Sequence, residues 1–97
     1  MMKVLSQSEI KQKLSALKGW ALAPEGIQKS FKLKDFRTAI TFVGQVADLA
    51  EEAFHHPDIL IQYDRVTFTL TTHDAGGITQ KDFSLAADIE AIAPGGN

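Results

Sequence analysis

The stretch Glu51-Glu52-Ala53-Phe54-His55-His56-Pro57-Asp58 is where one periodicity ends and another begins. Upstream, Phe36, Ala39, Ile40, Val43, Val46, Ala47, Ala50 and Phe54 recur at three- and four-residue intervals, and Phe42, Leu49 and Ala53 widen the stripe. This predicts a helix over about 35–54, with Asp35 as its N-cap. Pro57 cannot extend that helix and holds His56 in extended backbone. Downstream, Ile59, Ile61 and Tyr63 alternate with Leu60 and Gln62, and Val66, Phe68 and Leu70 alternate with Thr67, Thr69 and Thr71. The two runs, joined at Asp64-Arg65, predict an antiparallel hairpin whose Val66, Phe68 and Leu70 face the helices. If the strand persists to residue 73, alternation puts His73 on the face away from the core, as suits a ligand-facing histidine.

The flanking segments add matching elements. Ser6-Gln7-Ser8-Glu9 reads as a capping box with Leu5 and Ile10 as a hydrophobic staple, opening a first helix whose stripe is Ile10, Leu14 and Leu17 and which Gly19 stops. Residues 20–23 and 27–33 flank Pro24-Glu25-Gly26 as a second pair of antiparallel strands, with Ile27, Lys29, Phe31 and Leu33 on one face. After the turn Asp74-Ala75-Gly76-Gly77, Thr79 and Asp82 form another capping box, with Ile78 and Phe83 as staple, for a last helix. Residues 94–97 read as a frayed end. The order helix, strand, strand, helix, strand, strand, helix predicts an α+β fold. Its four-stranded antiparallel sheet carries the three helices packed on one face and leaves the other free for a ligand or partner. Residues 1–97 form a single domain, without repeat or linker.

Composition narrows the function. An apolar fraction of 44% and a charged fraction of 23% are those of an ordinary globular chain. A net charge of −2 argues against a nucleic-acid binder working by phosphate neutralisation. The absence of cysteine excludes disulfides, thiolate metal sites and cysteine nucleophiles. No signal-peptide run or membrane-length apolar stretch occurs, so a cytoplasmic protein without membrane contact is expected. At 97 residues the core is small, and the stripe of the second helix is wider than one small sheet needs. Both predict a homodimer or homotetramer, with Gly44 marking a close approach of another backbone.

Chemistry is expected at the histidines. Histidine changes charge nearest neutral pH, so a pair at a forced turn can handle protons, and the hairpin returns His73 toward His55 and His56. Glu51 lies one helical turn before His55 and is expected to accept from that imidazole and poise it as an acid. A zinc site with Glu51 or Asp74 as fourth ligand is disfavoured, because His55 and His56 diverge and no His-x-x-x-His spacing occurs. Asp82 is explained as a cap, and Tyr63 as core or hairpin packing. Trp20 reads as a core or rim residue, or as an apolar wall against a flat heterocycle.

Glu51 followed by His55-His56-Pro57, then Tyr63, His73 and Asp82 at their spacings, resembles the signature of the pterin-4a-carbinolamine dehydratases. The likeness takes in Gly19-Trp20, the Phe31 strand, Lys34-Asp35-Phe36 and Thr72-His73-Asp74 before Gly76-Gly77. It implies a dehydratase that removes water from 4a-hydroxytetrahydropterin to give quinonoid dihydropterin, the form recycled after aromatic amino acid hydroxylation. Pterin is then the substrate, no cofactor or metal is required, and a hydroxylase is a metabolic partner. The resemblance implies His55, His56 and His73 as the catalytic set, with Glu51 as electrostatic partner. It implies Phe54, His55, His56, Pro57, Thr71, Thr72, His73, Asp74 and Trp20 as substrate contacts. Phe54 stands where relatives often carry a polar residue. The competing reading is a non-catalytic, oligomeric protein-binding module on the same scaffold, which has no need of three gathered imidazoles.

Overall fold

A computed structural model describes residues 3–94; of the frayed end expected at 94–97, residues 95–97 lie outside them. The elements are α1 (Gln7–Leu14), β1 (Ala21–Ala23), β2 (Gly26–Lys32), α2 (Phe36–Ala53), β3 (Asp58–Gln62), β4 (Arg65–Leu70), a 3-10 turn (His73–Ala75) and α3 (Gln80–Ile92). The four strands form one antiparallel sheet in the order β1-β2-β4-β3, with the helices on one side. The α+β architecture follows from two hairpins whose inner strands, β2 and β4, pair across the centre.

The caps act as their sequences predict. Ser6 Oγ accepts from Glu9 N while Glu9 Oε1 accepts from Ser6 N, and Asp35 Oδ1 accepts from Thr38 N at 2.8 Å. Lys3, then the Ser6 backbone N–H, hold the Glu9 carboxyl down at about 2. Helix α1 ends at Leu14 rather than reaching Gly19. Ala16, Leu17 and Trp20 each donate to the carbonyl three residues back, so tighter turns replace the helix before Gly19, at φ 90, reverses the chain. The first hairpin needs a glycine at its turn. A Cβ on Gly26 would lie 2.1 Å from the Leu70 carbonyl oxygen, so only a residue without one lets β2 pair with β4 there.

The second hairpin turns one residue earlier than expected, at Tyr63-Asp64, because Gln62 pairs with Arg65. Tyr63 takes the left-handed conformation, φ 57, and is 70% exposed, so it is a turn residue and not core packing. Val66, Phe68 and Leu70 are fully buried. They meet Ile27 and Phe31 of β2, Phe42 and Val46 of α2, and Leu85 and Ile89 of α3 in one cluster. Phe31, Phe42 and Phe68 stack edge to face with centroids 5.2–5.8 Å apart. Each such buried ring contributes about 1.5–3 kcal/mol. The alternate residues of β4 form the expected ladder, with Thr67 hydrogen-bonded to Ser30 and Thr69 to Gln28.

Trp20 is a core residue, 5% exposed, with its ring edge on Phe31 and its indole N–H donating to Glu90 Oε2 at 2.9 Å. The same oxygen accepts from Lys29 Nζ at 2.6 Å. Lys29 therefore occupies the helix-facing side of β2 as part of a half-buried ion pair with α3.

Helix α2 divides its apolar stripe. Ala39, Phe42, Val46 and Ala50 face the core, whereas Phe36 and Ile40 remain exposed. Beyond its own turns of helix, nothing among the described residues comes within 4 Å of the position a Cβ on Gly44 would take. No helix among the described residues is long and apolar enough to cross a membrane.

Candidate active site

The site is built by the way α2 ends. Phe54 adopts the left-handed conformation, φ 51 and ψ 41, and its N–H bonds to Glu51 O while that of His55 bonds to Ala50 O. These two bonds are the reversed closure of a Schellman motif. They swing the chain back across the helix end, so His55 drops inward while His56 stays outside. Consecutive imidazoles thus acquire different partners. His55 is nearly buried, and its Nε2 donates to Asp82 Oδ1 at 2.5 Å. His56 Nε2 donates to Glu51 Oε2 at 2.6 Å on the exposed side. The expected Glu51–His55 pair does not form, because Phe54 breaks the helical geometry that a four-residue spacing assumes.

Asp82 is fully buried and does two jobs. Its Oδ2 accepts from Thr79 N at 2.9 Å, capping α3, and from Thr72 Oγ1 at 2.9 Å. A carboxylate only accepts, so Thr72 must donate to Asp82, and Thr79 must then donate to Thr72 across their 2.8 Å contact. Lys81 N in turn donates to Thr79 Oγ1. This chain of hydrogen bonds leaves no buried side-chain nitrogen or oxygen unpartnered among the described residues. It ties the end of β4, the start of α3 and the ring of His55 into one unit.

Strand β4 stops at Leu70, and His73 opens the 3-10 turn instead of continuing the ladder. The bridge Thr72 to Gly77 closes that turn and brings His73 back toward the end of α2. Phe54, His55, His56, Thr71, Thr72, His73, Asp74 and Lys81 together line an open cleft of about 210 Å³. Seven of the residues named from sequence are among them. Glu51 stands behind His56 rather than in the cleft, and Pro57, half-buried, does not line it. Trp20 is absent because its ring is held in the core near the far end of α3, where Glu90 bonds it.

Sequence reasoning did not select Lys81 or Asp82 for the site. Asp82 already had a complete local explanation as a cap, which uses one oxygen; the other is claimed by a tertiary contact 27 residues away. No local pattern marked Lys81. A second, more apolar groove of about 250 Å³ lies between Ala53 and the first turns of α3, with His55 and Lys81 on the shared wall. It contains one imidazole only. Among the described residues, no group of three or more histidines and carboxylates is arranged to hold a metal ion.

The model of the pterin 4 alpha carbinolamine dehydratase family matches residues 3–92. A protein of Roseiflexus sp. (strain RS-1) that bears this family's name is 54% identical over 88 residues, covering 91% of this chain and 95% of the relative. One from Nostoc sp. (strain PCC 7120 / SAG 25.82 / UTEX 2576) is 52% identical, covering 95% and 99%. A crystal structure of a transcriptional coactivator/pterin dehydratase from Brucella melitensis superposes with a TM-score of 0.89 at 43% identity, over 94% of this chain and 99% of that one. With its fold, its gathered histidines and a match over nearly its whole length, the chain belongs to the pterin-4-alpha-carbinolamine dehydratase family.

Proposed function

We propose that this chain dehydrates 4a-hydroxytetrahydropterin to quinonoid dihydropterin in the cleft between the end of α2 and the His73 turn. The observation that carries the reading is the juxtaposition of three imidazoles, two of them backed by carboxylates, around one cleft. The reaction breaks the C4a–O bond as a ring-nitrogen lone pair forms a C=N bond. The departing oxygen takes a proton from an acid and leaves as water, and the resulting cation gives a nitrogen proton to a base. His55, His56 and His73 divide these duties, each worth about a hundredfold to ten-thousandfold. Asp82 holds the hydrogen on His55 Nε2, which leaves Nδ1 as the nitrogen that exchanges a proton with the bound molecule. Asp82 therefore takes the supporting role that sequence had given to Glu51 for this ring, and Glu51 supports His56. Phe54, Thr71, Thr72, Asp74 and Lys81 contact the substrate in this reading.

The test is the decay of 4a-hydroxytetrahydropterin with and without the protein, corrected for spontaneous dehydration. Catalytic acceleration is expected; decay at the spontaneous rate would leave the scaffold reading. As a dehydratase the chain would regenerate pterin after aromatic amino acid hydroxylation, in the cytoplasm, with no cofactor of its own.

Self-association belongs to the same proposal. Strand β3 is a sheet edge with every residue exposed, Leu60 at 53%, and Phe36 and Ile40 add exposed apolar surface on α2. Sedimentation velocity at micromolar concentration is expected to show a dimer or tetramer. A monomer would contradict it.

A further inference from the structure

His73 stands on a turn whose backbone bonds run mostly within itself. The Thr72 carbonyl accepts from Ala75 N, Gly76 N and Gly77 N, and Thr72 N donates to Gly77 O, which closes the turn without tying its outer limb to the sheet. Thr72 Oγ1 anchors only the base, through Asp82. Behind the turn lies an open hollow of about 440 Å³, lined in part by Pro24, Thr71, Gly76 and Gly77. Thr71 also lines the histidine cleft, so the turn is a thin partition between two spaces. A segment with so little packed behind it takes its position from whatever holds its outer limb. Lys3-Val4-Leu5 does that. Leu5 N donates to Ile78 O at 2.8 Å. Val4 lies on Gly77, its Cγ1 2.8 Å from the position a Cβ there would take. The segment is itself fixed to α1, since Leu5 packs on the core cluster and Lys3 Nζ pairs with Glu9 Oε2, in the capping box, at 2.7 Å. Burial does not account for Val4, which is 45% exposed.

We propose that Val4, seated on Gly77 by the Leu5–Ile78 bond, is a positioning residue for His73, part of a strap from α1 that sets how far the His73 turn stands from the end of α2. The proposal rests on the reading of the cleft as the site of dehydration. Val4 does not line the cleft and acts through the turn alone. Gly77 is not in left-handed backbone, so its main chain would accept alanine. The three atoms nearest to such a Cβ, chain neighbours aside, all belong to Val4. The spacing between strap and turn is therefore set by one side-chain contact.

The test compares the parent with Gly77→Ala, Val4→Ala and the double variant, which together move a methyl group from one side of the contact to the other. Turnover of 4a-hydroxytetrahydropterin and Tm are measured, and the imidazole signals are followed by NMR, with that of His73 identified from its loss in His73→Ala. Misplacing a catalytic group by about 1 Å can cost a hundredfold. Gly77→Ala, which forces strap and turn apart by less, is expected to lower kcat about tenfold and to move the His73 signals more than those of His55 and His56. Val4→Ala, an exposed change that should leave Tm near the parent's, is expected to lower kcat about threefold as the turn loses its rest. In the double variant the Val4 Cβ, 3.8 Å from the new methyl, restores an ordinary contact. Its kcat should return to within about twofold of the parent, and the His73 signals with it, so the two changes are not additive. Parental kcat and unmoved His73 signals in both single variants, or a double variant no better than Gly77→Ala, would overturn the proposal. A parent that does not dehydrate pterin would overturn the reading of the cleft, and this role with it. An active parent whose double variant shows no recovery overturns this inference alone.

Discussion

Asp82→Ala is expected to destabilise the fold by about 3 kcal/mol or more, and to abolish most catalysis. The carboxylate is fully buried and serves His55 Nε2, Thr72 Oγ1 and the Thr79 backbone N–H together. Removing it leaves a nearly buried imidazole and two buried donors without an acceptor, and losing one partner of such a buried arrangement costs roughly 3–5 kcal/mol. Against a total stability of about 5–15 kcal/mol for a domain, this is a large fraction. In thermal denaturation the midpoint should fall by more than about 10 °C. Asp82→Asn separates the cap from the site. Its one carbonyl oxygen can still cap Thr79, so most stability should survive. Its amide, however, would donate to Nε2 and force the hydrogen of a neutral His55 onto Nδ1. Dehydration should then fall by about a hundredfold or more with the fold intact. An asparagine variant with parental kcat would show that Asp82 is only a cap.

His73→Ala carries the second large effect, and it is the cleaner test of catalysis. The side chain is exposed and has no hydrogen-bond partner among the described residues, so its loss should leave stability within about 0.5 kcal/mol. Dehydration should nevertheless fall by about a hundredfold to ten-thousandfold. His55→Ala should show a comparable loss of rate but also a lower Tm, because Asp82 would be left buried without its imidazole. Glu51→Gln should matter much less. Its pair with His56 is exposed on both sides, and such pairs are worth about 0.2–1 kcal/mol, or a fewfold in rate. Finding His55→Ala and His73→Ala both within threefold of the parent would remove the acid–base assignment.

The fold was legible because local and long-range signals agree. The caps at Ser6, Asp35 and Thr79 and the alternation through Val66, Phe68 and Leu70 fix where helices begin and which strand face is buried. The site was legible as a set of residues, since a helix end, a proline and a hairpin place the histidines near one another. Its wiring was not. Pairing Glu51 with His55 assumes a helix that continues, and Phe54 in left-handed backbone breaks it. Placing His73 by strand parity assumes a strand that reaches residue 73, and β4 stops at Leu70. Trp20 as a core residue and Asp82 as a cap were legible, whereas the exclusion of Trp20 from the cleft and the second partner of Asp82 were not, for one reason. A local pattern cannot say whether a ring points into the core toward Glu90, or whether a cap's second oxygen finds an imidazole on another helix.

The most direct measurement is a crystal structure of the protein with an oxidised pterin bound. The account predicts the bicyclic ring in the cleft over Phe54, with polar atoms within about 2.6–3.2 Å of the imidazoles at positions 55, 56 and 73, directly or through one water. Pterin seated in the groove between Ala53 and Leu85, out of reach of residue 73, would contradict it.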